Sequence, residues 1–370
     1  PPRSTLFPYT TLFRSVGDHM KNNENKRKFT LAATGDILLH TRLYRTAKKK
    51  FGYDFNSKIE NVRHLFKPEY VTIVNQESII AGKEIGLSSF PKFNSPVEIG
   101  YLLKDLDVDI VNIANNHTLD RGEEGLIKSI ENLEKIGLPY VGAYKSKEDQ
   151  ERLRIIEKNG LKICFLSYTR MIGTGKIPED KPYLLNRYHP MRLKSIKDLI
   201  KHIRNKRIAD VIVVSLHFGK EYHLQPTAEQ KEVSKDLSDA GADIIIGHHP
   251  HVLQPPEFIL NSRGKQSFAA YSLGNFFTGQ FGLYRQIGAF LTLDIEQPDP
   301  NSTMLKIDNP KMKLTFVDST DDKDFKMHLF EDIVRERKVI KTDMGEFASK
   351  EVYNEIVMRM RQWIHDLDVS

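Results

Sequence analysis

Three histidines within four residues, His248, His249 and His251, form the strongest chemical signal in this sequence. They follow the apolar run 244–246, which is typical of a buried strand, and Pro250 interrupts them. Neutral imidazole is the most common metal ligand that proteins supply. With a bend at Pro250, the rings of His249 and His251 can reach the same point, so we expect both to bind a metal. We expect His248 to lie outside the ligand set and to form hydrogen bonds around it.

Four other polar clusters follow predicted strands: Thr34–Asp36, Asn75–Glu77, Asn115–Gly122 and Ser215–Tyr222. Each has an ordinary structural explanation as well. Gly-Asp is often only a turn, an Asn-rich loop often caps a helix, and a polar loop is typical after any strand. His40 could face the same site or lie exposed on the turn after the first cluster. The functional interpretation therefore depends on the clusters taken together.

Taken together, the clusters predict a metal site. Ligands of open α/β sheets bind outside the carboxyl ends of the strands, where the side chains of all five clusters would meet. Mixed oxygen and nitrogen donors suit Mn, Fe, Co, Ni or Zn, and suit Ca less well. The number of donors allows one or two ions, and a carboxylate such as that of Glu77 could bridge a pair about 3.5–4 Å apart. Such a site is typical of a hydrolase.

The third cluster adds a candidate for proton transfer. We expect His117 to face a substrate, with an amide oxygen from the same loop as a metal ligand. Asp120 would hold the His117 ring and keep it protonated, as acids do for catalytic imidazoles. We therefore expect His117 and Asp120 to be the catalytic residues.

Short apolar runs alternate with amphipathic segments, which predicts an α/β layered domain with a strand-rich later part. The predicted strands are Phe29–Ala33, Tyr70–Val74, Asp109–Ala114, Tyr140–Gly142, Lys162–Ser167, Asp210–Leu216, Asp243–Ile246, Phe258–Leu260, Ser267–Ser272, Gly288–Asp294 and Lys313–Val317. The predicted helices are Val97–Leu106, Glu123–Ile136, Leu193–Asn205 and Thr227–Ala240, followed by helical patterns near Lys323–Lys338 and Glu351–Leu367.

Composition is that of an ordinary globular protein of 370 residues, with 39% hydrophobic and 28% charged residues. The net charge of +6 comes from dispersed residues, so nucleic-acid binding is not indicated. The single cysteine, Cys164, lies in an apolar run and is expected to be a buried thiol.

The two ends of the chain call for separate treatment. Residues 1–19 resemble a translated sequencing adapter, so we expect a non-native segment there, followed by a polar lead over 20–28. The main domain is predicted over 29–320 and a helical tail packed on or beside it over 321–370. Without an apolar run of roughly 18 to 20 residues, we expect a cytoplasmic protein, or a membrane-associated one if a native anchor precedes it.

The clusters, in this order, resemble the CapA family, which is associated with bacterial capsule and poly-γ-glutamate synthesis and is similar in fold to the calcineurin-like metallophosphoesterases. The resemblance runs from Thr30 to Phe277 and includes Gly35-Asp36, Asn115-Asn116-His117, His249-Pro250-His251 and Ser272–Phe276. It implies a two-layer β-sandwich flanked by helices. Its implied metal ligands are Asp36, Glu77, Asn116, His217, His249 and His251. Substrate contacts are expected from His40, Asn75, Glu221 and Asn275.

Two departures from the general phosphoesterase pattern stand out. That pattern has Asp-x-His at the first strand, whereas the nearest histidine after Asp36 in this sequence is His40. The acid that bridges the two metals in that pattern is usually Asp, whereas this sequence has Glu77 at the corresponding position. The expected function is that of a metal-dependent hydrolase-like protein acting on an acidic polymer or a phosphoester. The alternatives are a non-catalytic, polymer-binding accessory subunit of a membrane synthase and a broad phosphodiesterase.

Overall fold

The computed structural model of the chain describes residues 11–14, 27–319 and 324–370. The rest of the segment 1–19, the polar lead up to residue 26, and residues 320–323 at the predicted domain boundary lie outside the described residues.

The strands of the first half are β1 (Thr11–Arg14), β2 (Lys28–Leu38), β3 (Val71–Gln76), β4 (Ile110–Asn112), β5 (Tyr140–Val141), β6 (Arg154–Lys158), β7 (Leu161–Thr169), β8 (Val211–His217), β9 (Ile244–His248) and β10 (Leu253–Gln254). Those of the second half are β11 (Glu257–Leu260), β12 (Gln266–Ala270), β13 (Ser272–Leu273), β14 (Asn275–Thr278), β15 (Ile287–Glu296), β16 (Lys306–Asp318), β17 (Lys326–Leu329), β18 (Val339–Thr342), β19 (Gly345–Ala348) and β20 (Asp368–Val369).

Two large sheets form the centre of the described structure. One has the strand order β1-β6-β7-β8-β9-β12-β11, and the other has the order β17-β16-β15-β2-β3-β4-β5, with β14 also beside β2 and β20 beside β16. The neighbours β7, β8, β9 and β12 are parallel, as are β2, β3, β4 and β5. The carboxyl ends of each parallel set therefore lie along one edge of its sheet.

The strands alternate their side chains between two cores, as period-2 geometry requires. In β8, Val211 and Val213 belong to the core between the two sheets, while Ile212 and Val214 face the opposite side, and every residue of the strand is buried. In β2, Leu31 likewise joins the core between the sheets. The prediction from continuous β-branched runs, that strands are covered on both faces, is confirmed.

Helices cover the outer faces of both sheets, and two more lie near the C-terminus. The helices are α1 (Thr41–Thr46), α2 (Asn56–Ile59), α3 (Glu98–Asp105), α4 (Gly122–Ile136), α5 (Lys147–Glu151), α6 (Lys194–Asn205), α7 (Ala228–Ala240), α8 (Phe330–Glu336) and α9 (Ser349–Met360). Buried residues of α1 to α4 pack on the sheet of β2, and those of α6 and α7 pack on the sheet of β8. The predicted two-layer β-sandwich flanked by helices is confirmed. No helix of the described residues is long and apolar enough to cross the hydrocarbon core of a membrane.

The first strand is longer than its sequence pattern predicted. It continues from Ala33 to Leu38, so Asp36 lies inside β2 rather than in a turn after it. Gly35 makes this possible because it has no Cβ. A Cβ at this position would lie 2.3 Å from the carbonyl oxygen of Gly274 and would clash with it. The same oxygen accepts a hydrogen bond from the backbone N–H of Asp36 at 2.9 Å. The glycine thus serves a close backbone approach, not a turn.

The C-terminal segment contains more than the expected helices. Besides α8 and α9 it forms β17 and β20, which both pair with β16, and the hairpin β18–β19. Phe330 and Ile356, from α8 and α9, are completely buried in the core between the sheets. The segment therefore packs into the sandwich. The boundary at residue 320 stays a prediction.

Candidate metal centre

Strand register brings the polar clusters to one edge of the sandwich. Asp36 in β2 stands opposite Asn75 in β3, and His217 at the end of β8 stands opposite His248 at the end of β9. Asn112 of β4 donates a hydrogen bond to Asn75, which in turn donates to Asp36, each at 2.8 Å. This row of amides fixes the Asp36 carboxylate at the carboxyl edge of its sheet.

The first group of candidate metal ligands consists of Asp36, Glu77 and His251, whose donor atoms all lie within 4.8 Å of one another. Nε2 of His251 is 3.6 Å from Oε1 of Glu77, and its Nδ1 is 3.2 Å from Oδ2 of Asp36. All three side chains are almost fully buried. Two carboxylates and an imidazole are a donor set typical of a divalent transition metal.

The second group consists of Glu77, His217 and His249, again with donor atoms within 4.8 Å. Nε2 of His217 is 3.5 Å from Oε1 of Glu77 and 2.9 Å from Oδ1 of Asn116. Glu77 therefore belongs to both groups, which is the position of a bridging carboxylate between two ions. The described residues thus contain two possible metal-binding groups that share Glu77, and a third group, Glu221, His249 and His251, shares a histidine with each of them.

Several buried polar atoms of these groups have no hydrogen-bond partner among the described residues. They are both carboxylate oxygens of Glu77, Nδ1 of His217 and Nδ1 of His249. Buried polar groups are nearly always paired, and those without a partner call for a missing ligand. Because these are oxygen and nitrogen donors converging from different strands, the residues present fit divalent metal binding.

Burial and hydrogen bonds at the site favour the protonation states of Asp36, His217 and His249 that can bind a metal. Burial alone would raise the pKa of Asp36, but hydrogen bonds from His248 and His251 outweigh it and hold that pKa well below its ordinary value. Burial, with His251 nearby, lowers the pKa of His249 to about 3, and burial also holds the pKa of His217 well below its usual range. Asp36 is thus ionised, while His217 and His249 are neutral imidazoles, as ligands must be.

The pKa values of Glu77 and His251 are both raised rather than lowered. Burial raises the pKa of the Glu77 carboxyl well above its ordinary value. Burial would lower the pKa of His251, but the charge of Glu77 and the hydrogen bond to Asp36 outweigh it and raise that pKa to about 9. A metal ion would take the place of the proton on His251 and stabilise the Glu77 carboxylate.

The loop after β9 has a backbone conformation that few residues adopt. His249 has a φ of 99° and His251 a φ of 58°, both in the region that favours glycine. Such strain persists when surrounding structure holds it, and it is concentrated at functional sites. Here it turns both imidazoles toward Glu77, around Pro250.

His117 lies beside the second ligand group. Its Nδ1 is 2.7 Å from Oδ2 of Asp120, and its Nε2 is 3.3 Å from Nδ2 of Asn116. Asp120 also accepts hydrogen bonds from the backbone N–H of Phe93 at 2.8 Å and from the hydroxyl of Thr174 at 3.0 Å. These contacts fix the Asp120 carboxylate, which in turn orients the His117 ring.

Comparison with known proteins decides the family. The model of the bacterial capsule synthesis protein family PGA_cap matches residues 30–280, which include Asp36, Glu77, His117, His217 and His251. The chain belongs to this family. The match covers both parallel sets of strands and the candidate ligands at their carboxyl ends.

Individual relatives agree with this assignment. The chain is 30% identical over 261 residues to the capsule biosynthesis protein CapA of Bacillus anthracis, over 70% of this chain and 61% of that protein. It is 36% identical over 177 residues to the PGA biosynthesis protein CapA of Bacillus subtilis (strain 168), over 47% and 44% of the two chains. A probable polyglutamine synthesis accessory protein of Mycobacterium tuberculosis is 26% identical over 160 residues, 41% of each chain. The chain spans less than two thirds of the length of these relatives.

In this member of the PGA_cap family, the four residues expected to contact substrate lie in different parts of the site. Asn75 and Asn275 are completely buried and hydrogen-bond to Asp36 and His251, so their observed contacts orient candidate ligands. Glu221 is exposed at the rim, with its carboxylate within 4.8 Å of donor atoms of His249 and His251.

His40, the fourth, lies near the catalytic candidates rather than the ligands. Its Nδ1 is 3.1 Å from the Leu38 carbonyl oxygen, and burial lowers its pKa to about 4. Its ring contacts Phe93, whose ring in turn contacts His117, with centroids 5.0 and 4.7 Å apart. Phe93 links the two imidazoles.

His248 was expected to form hydrogen bonds around the ligand set, and it hydrogen-bonds to Asp36 at 3.0 Å. The backbone N–H of His249 donates to the same carboxylate. Phe93 and Thr174, which bind Asp120, had no assigned role. The run Phe93-Asn94-Ser95-Pro96 also resembles a loop of the CapA family, and this is the signal by which Phe93 could have been found.

Proposed function

We propose that this protein is a metal-dependent hydrolase serving capsule or poly-γ-glutamate biosynthesis. The observation that carries the proposal is the pair of ligand groups sharing Glu77, with the His117–Asp120 pair directly beside them. A hydrolytic centre needs metal ligands and an imidazole held in position, and this protein has both at the same buried edge of its sheets. The family and the names of two relatives point to capsule or PGA biosynthesis as the setting.

Two ions could be held by the residues present. Asp36, Glu77 and His251 would hold one, and Glu77, His217 and His249, with the amide oxygen of Asn116, would hold the other. When bound, such ions supply Lewis acidity and lower the pKa of water. The mixed donors favour Mn, Fe, Co, Ni or Zn.

His117 is the residue we assign to proton transfer. The carboxylate of Asp120 would accept a hydrogen bond from Nδ1–H of His117, and Nε2, which lies 3.3 Å from the amide nitrogen of Asn116, would be the atom that donates a proton to substrate. Phe93 and Thr174 hold both oxygens of Asp120, so the His117 ring is positioned before substrate binds. Glu221, exposed at the rim, would bind an amine or the end of a glutamate polymer.

The experiment measures metal content and hydrolysis in the same samples. Full-length protein is purified, its metals are quantified by elemental analysis, and hydrolysis of a γ-linked glutamate oligomer and a generic phosphodiester is assayed with added Mn. We expect one to two equivalents of metal, and a His117→Ala variant with the same metal content but hydrolysis lower by about 100-fold or more. His365→Ala, at an exposed position, is the matched control.

A second candidate function is that of a non-catalytic, polymer-binding subunit of a membrane synthase. It is favoured by the name of the Mycobacterium tuberculosis relative, a probable accessory protein. For this function, wild type and His117→Ala should both bind the oligomer and should both fail to cleave either compound. Cleavage of the phosphodiester alone would instead support a broad phosphodiesterase. A wild-type protein without bound metal would contradict the hydrolase proposal.

A further inference from the structure

Arg285 lies between β14 and β15, beyond the last residue matched by the family model. Its side chain is half-buried. Among residues 11–14, 27–319 and 324–370, no carboxylate forms an ion pair with its guanidinium, whose polar partner there is the side chain of Tyr222. Half-buried arginines generally pair with an anion, because the cation has lost part of its hydration. The charge of Arg285 is therefore available to a ligand.

Two neighbours fix the orientation of this guanidinium. It stacks on the ring of Tyr222, with its central carbon 4.6 Å from the ring centroid. The second neighbour is Gly282, where a Cβ would be 2.7 Å from the Nη2 atom of Arg285. Gly282 has a φ of +100°, and its N–H donates to the carboxylate of Asp343, between β18 and β19, at 2.7 Å. The C-terminal hairpin thus anchors the loop that carries Arg285.

Arg285 is also connected to the metal centre. Asn275 donates from Nδ2 to the carbonyl oxygen of Arg285 at 2.8 Å, while its Oδ1 is 2.9 Å from Nδ1 of His251. The ring centroids of Tyr222 and His251 are 6.3 Å apart. One aromatic ring therefore separates the guanidinium from a candidate metal ligand, and one amide joins their backbones.

Glu221 is exposed at the rim of the centre, next in the chain to Tyr222, and its negative charge would repel an anionic substrate that no positive group attracted. A guanidinium presents a planar fork of donors that matches a carboxylate or a phosphate. We propose that Arg285 binds an oxyanion of the substrate, a carboxylate or a phosphate group, at the mouth of the metal centre. This inference rests on the proposed function, since it takes the metal centre as the place where substrate binds.

The test is a binding measurement on the full-length, Mn-loaded chain. Isothermal titration calorimetry with a γ-linked glutamate oligomer and with inorganic phosphate is performed on wild type, Arg285→Met and Arg285→Lys. The matched control is Arg263→Met, an exposed arginine in the turn before β12, at the edge opposite the carboxyl ends of the parallel strands. Metal content and melting temperature are measured on the same samples.

We expect Arg285→Met to raise the dissociation constant of at least one probe by about tenfold or more, since a charged hydrogen bond is lost. Arg285→Lys should recover part of that affinity, and Arg263→Met should match wild type. Loss for the oligomer identifies a carboxylate, and loss for phosphate identifies a phosphate group. A purely structural stacking role would lower the melting temperature without this pattern of charge rescue.

Two results would overturn the inference: unchanged affinity for both probes in Arg285→Met, or no binding of either probe by wild type. Failure of the proposed function is recognised separately. If wild type holds no metal, yet Arg285→Met still weakens binding of the oligomer, the hydrolase proposal is wrong while the oxyanion site stands. If wild type binds metal and hydrolyses substrate, and Arg285→Met has unchanged affinity for the probes, the oxyanion site is wrong while the hydrolase proposal stands.

Discussion

Oε1 of Glu77 lies 3.5 Å from Nε2 of His217, and neither side chain is exposed to solvent. Both carboxylate oxygens of Glu77 lack hydrogen-bond donors among the described residues. An unpaired carboxylate in such a place is costly, since burial without compensation removes its hydration. The arrangement is thus unfavourable unless a cation binds there.

Glu77→Gln should therefore reduce the bound metal by at least half and stabilise the metal-free protein. The amide keeps the size of the side chain but removes the charge that would bridge two ions. Elemental analysis and melting temperatures with and without a chelator measure the two effects. Glu84→Gln, at an exposed position, should change neither quantity. Retention of the full metal content by Glu77→Gln would contradict the shared-acid arrangement.

Asp120→Asn should lower hydrolysis by about 100-fold or more and leave metal content unchanged, because Asp120 contacts His117 and lies outside both ligand groups. The amide has one acceptor oxygen in place of two. It therefore cannot accept from both Phe93 and Thr174 while also holding the ring of His117. Rate measurements under saturating metal check the first effect. A large loss of metal in this variant would instead assign Asp120 to the metal centre.

Ile356→Ala should destabilise the whole protein by about 2–5 kcal/mol, the usual range for a completely buried isoleucine. Ile356 belongs to the core between the sheets, so the loss should appear in one cooperative unfolding transition measured by urea denaturation. Met358→Ala on the same helix, where the side chain is 71% exposed, should cost far less. Two separate transitions would show that the C-terminal segment folds as an independent unit.

Asp109→Asn should stabilise the protein near neutral pH. Burial raises the pKa of Asp109 to about 6 from the ordinary 3.8, although its Oδ2 accepts a hydrogen bond from the N–H of Thr72. The folded state binds this proton more tightly than the unfolded chain, so stability is lost as pH rises through that interval and the full penalty remains above it.

The amide keeps an oxygen for Thr72 and removes the charge of Asp109. We expect a gain of about 1–2 kcal/mol in the free energy of unfolding at about pH 7.5, and little gain at about pH 4.5. Asp366→Asn, at an exposed position, is the control for general charge effects. Equal gains at both pH values would show that the charge of Asp109 is not the cause.

The sequence was sufficient to predict the elements that position the site. Val211–His217 is recognisable because a continuous β-branched run needs cover on both faces, and Gly122–Ile136 because its apolar residues recur with helical period. Arg154–Lys158 and the two-residue strand Asp368–Val369 were missed. Their strand conformation comes from pairing with β7 and β16. The first has only Ile155 and Ile156 between charged residues, and the second has only Val369, which is too short an apolar pattern to predict a strand.

The site could be predicted only in part, for a related reason. The residue types at strand ends predict which side chains meet, since parallel strands share an edge. They do not predict which polar atoms pair. The partner of His248 is Asp36, 212 residues away, and that of Asn275 is His251, 24 residues away. Those pairings depend on register between two sheets, which no local pattern encodes.

The pairing of β15 with β2 has a practical consequence for shortened forms of this protein. The match to the family model ends at residue 280, whereas β15 begins at Ile287 and pairs with β2 from Lys28 to Thr34. A chain that stopped at residue 280 would keep every candidate ligand and lose this neighbour. The backbone edge of the strand that carries Asp36 would then be open to pairing with other chains. Such a fragment should aggregate rather than give a smaller working protein.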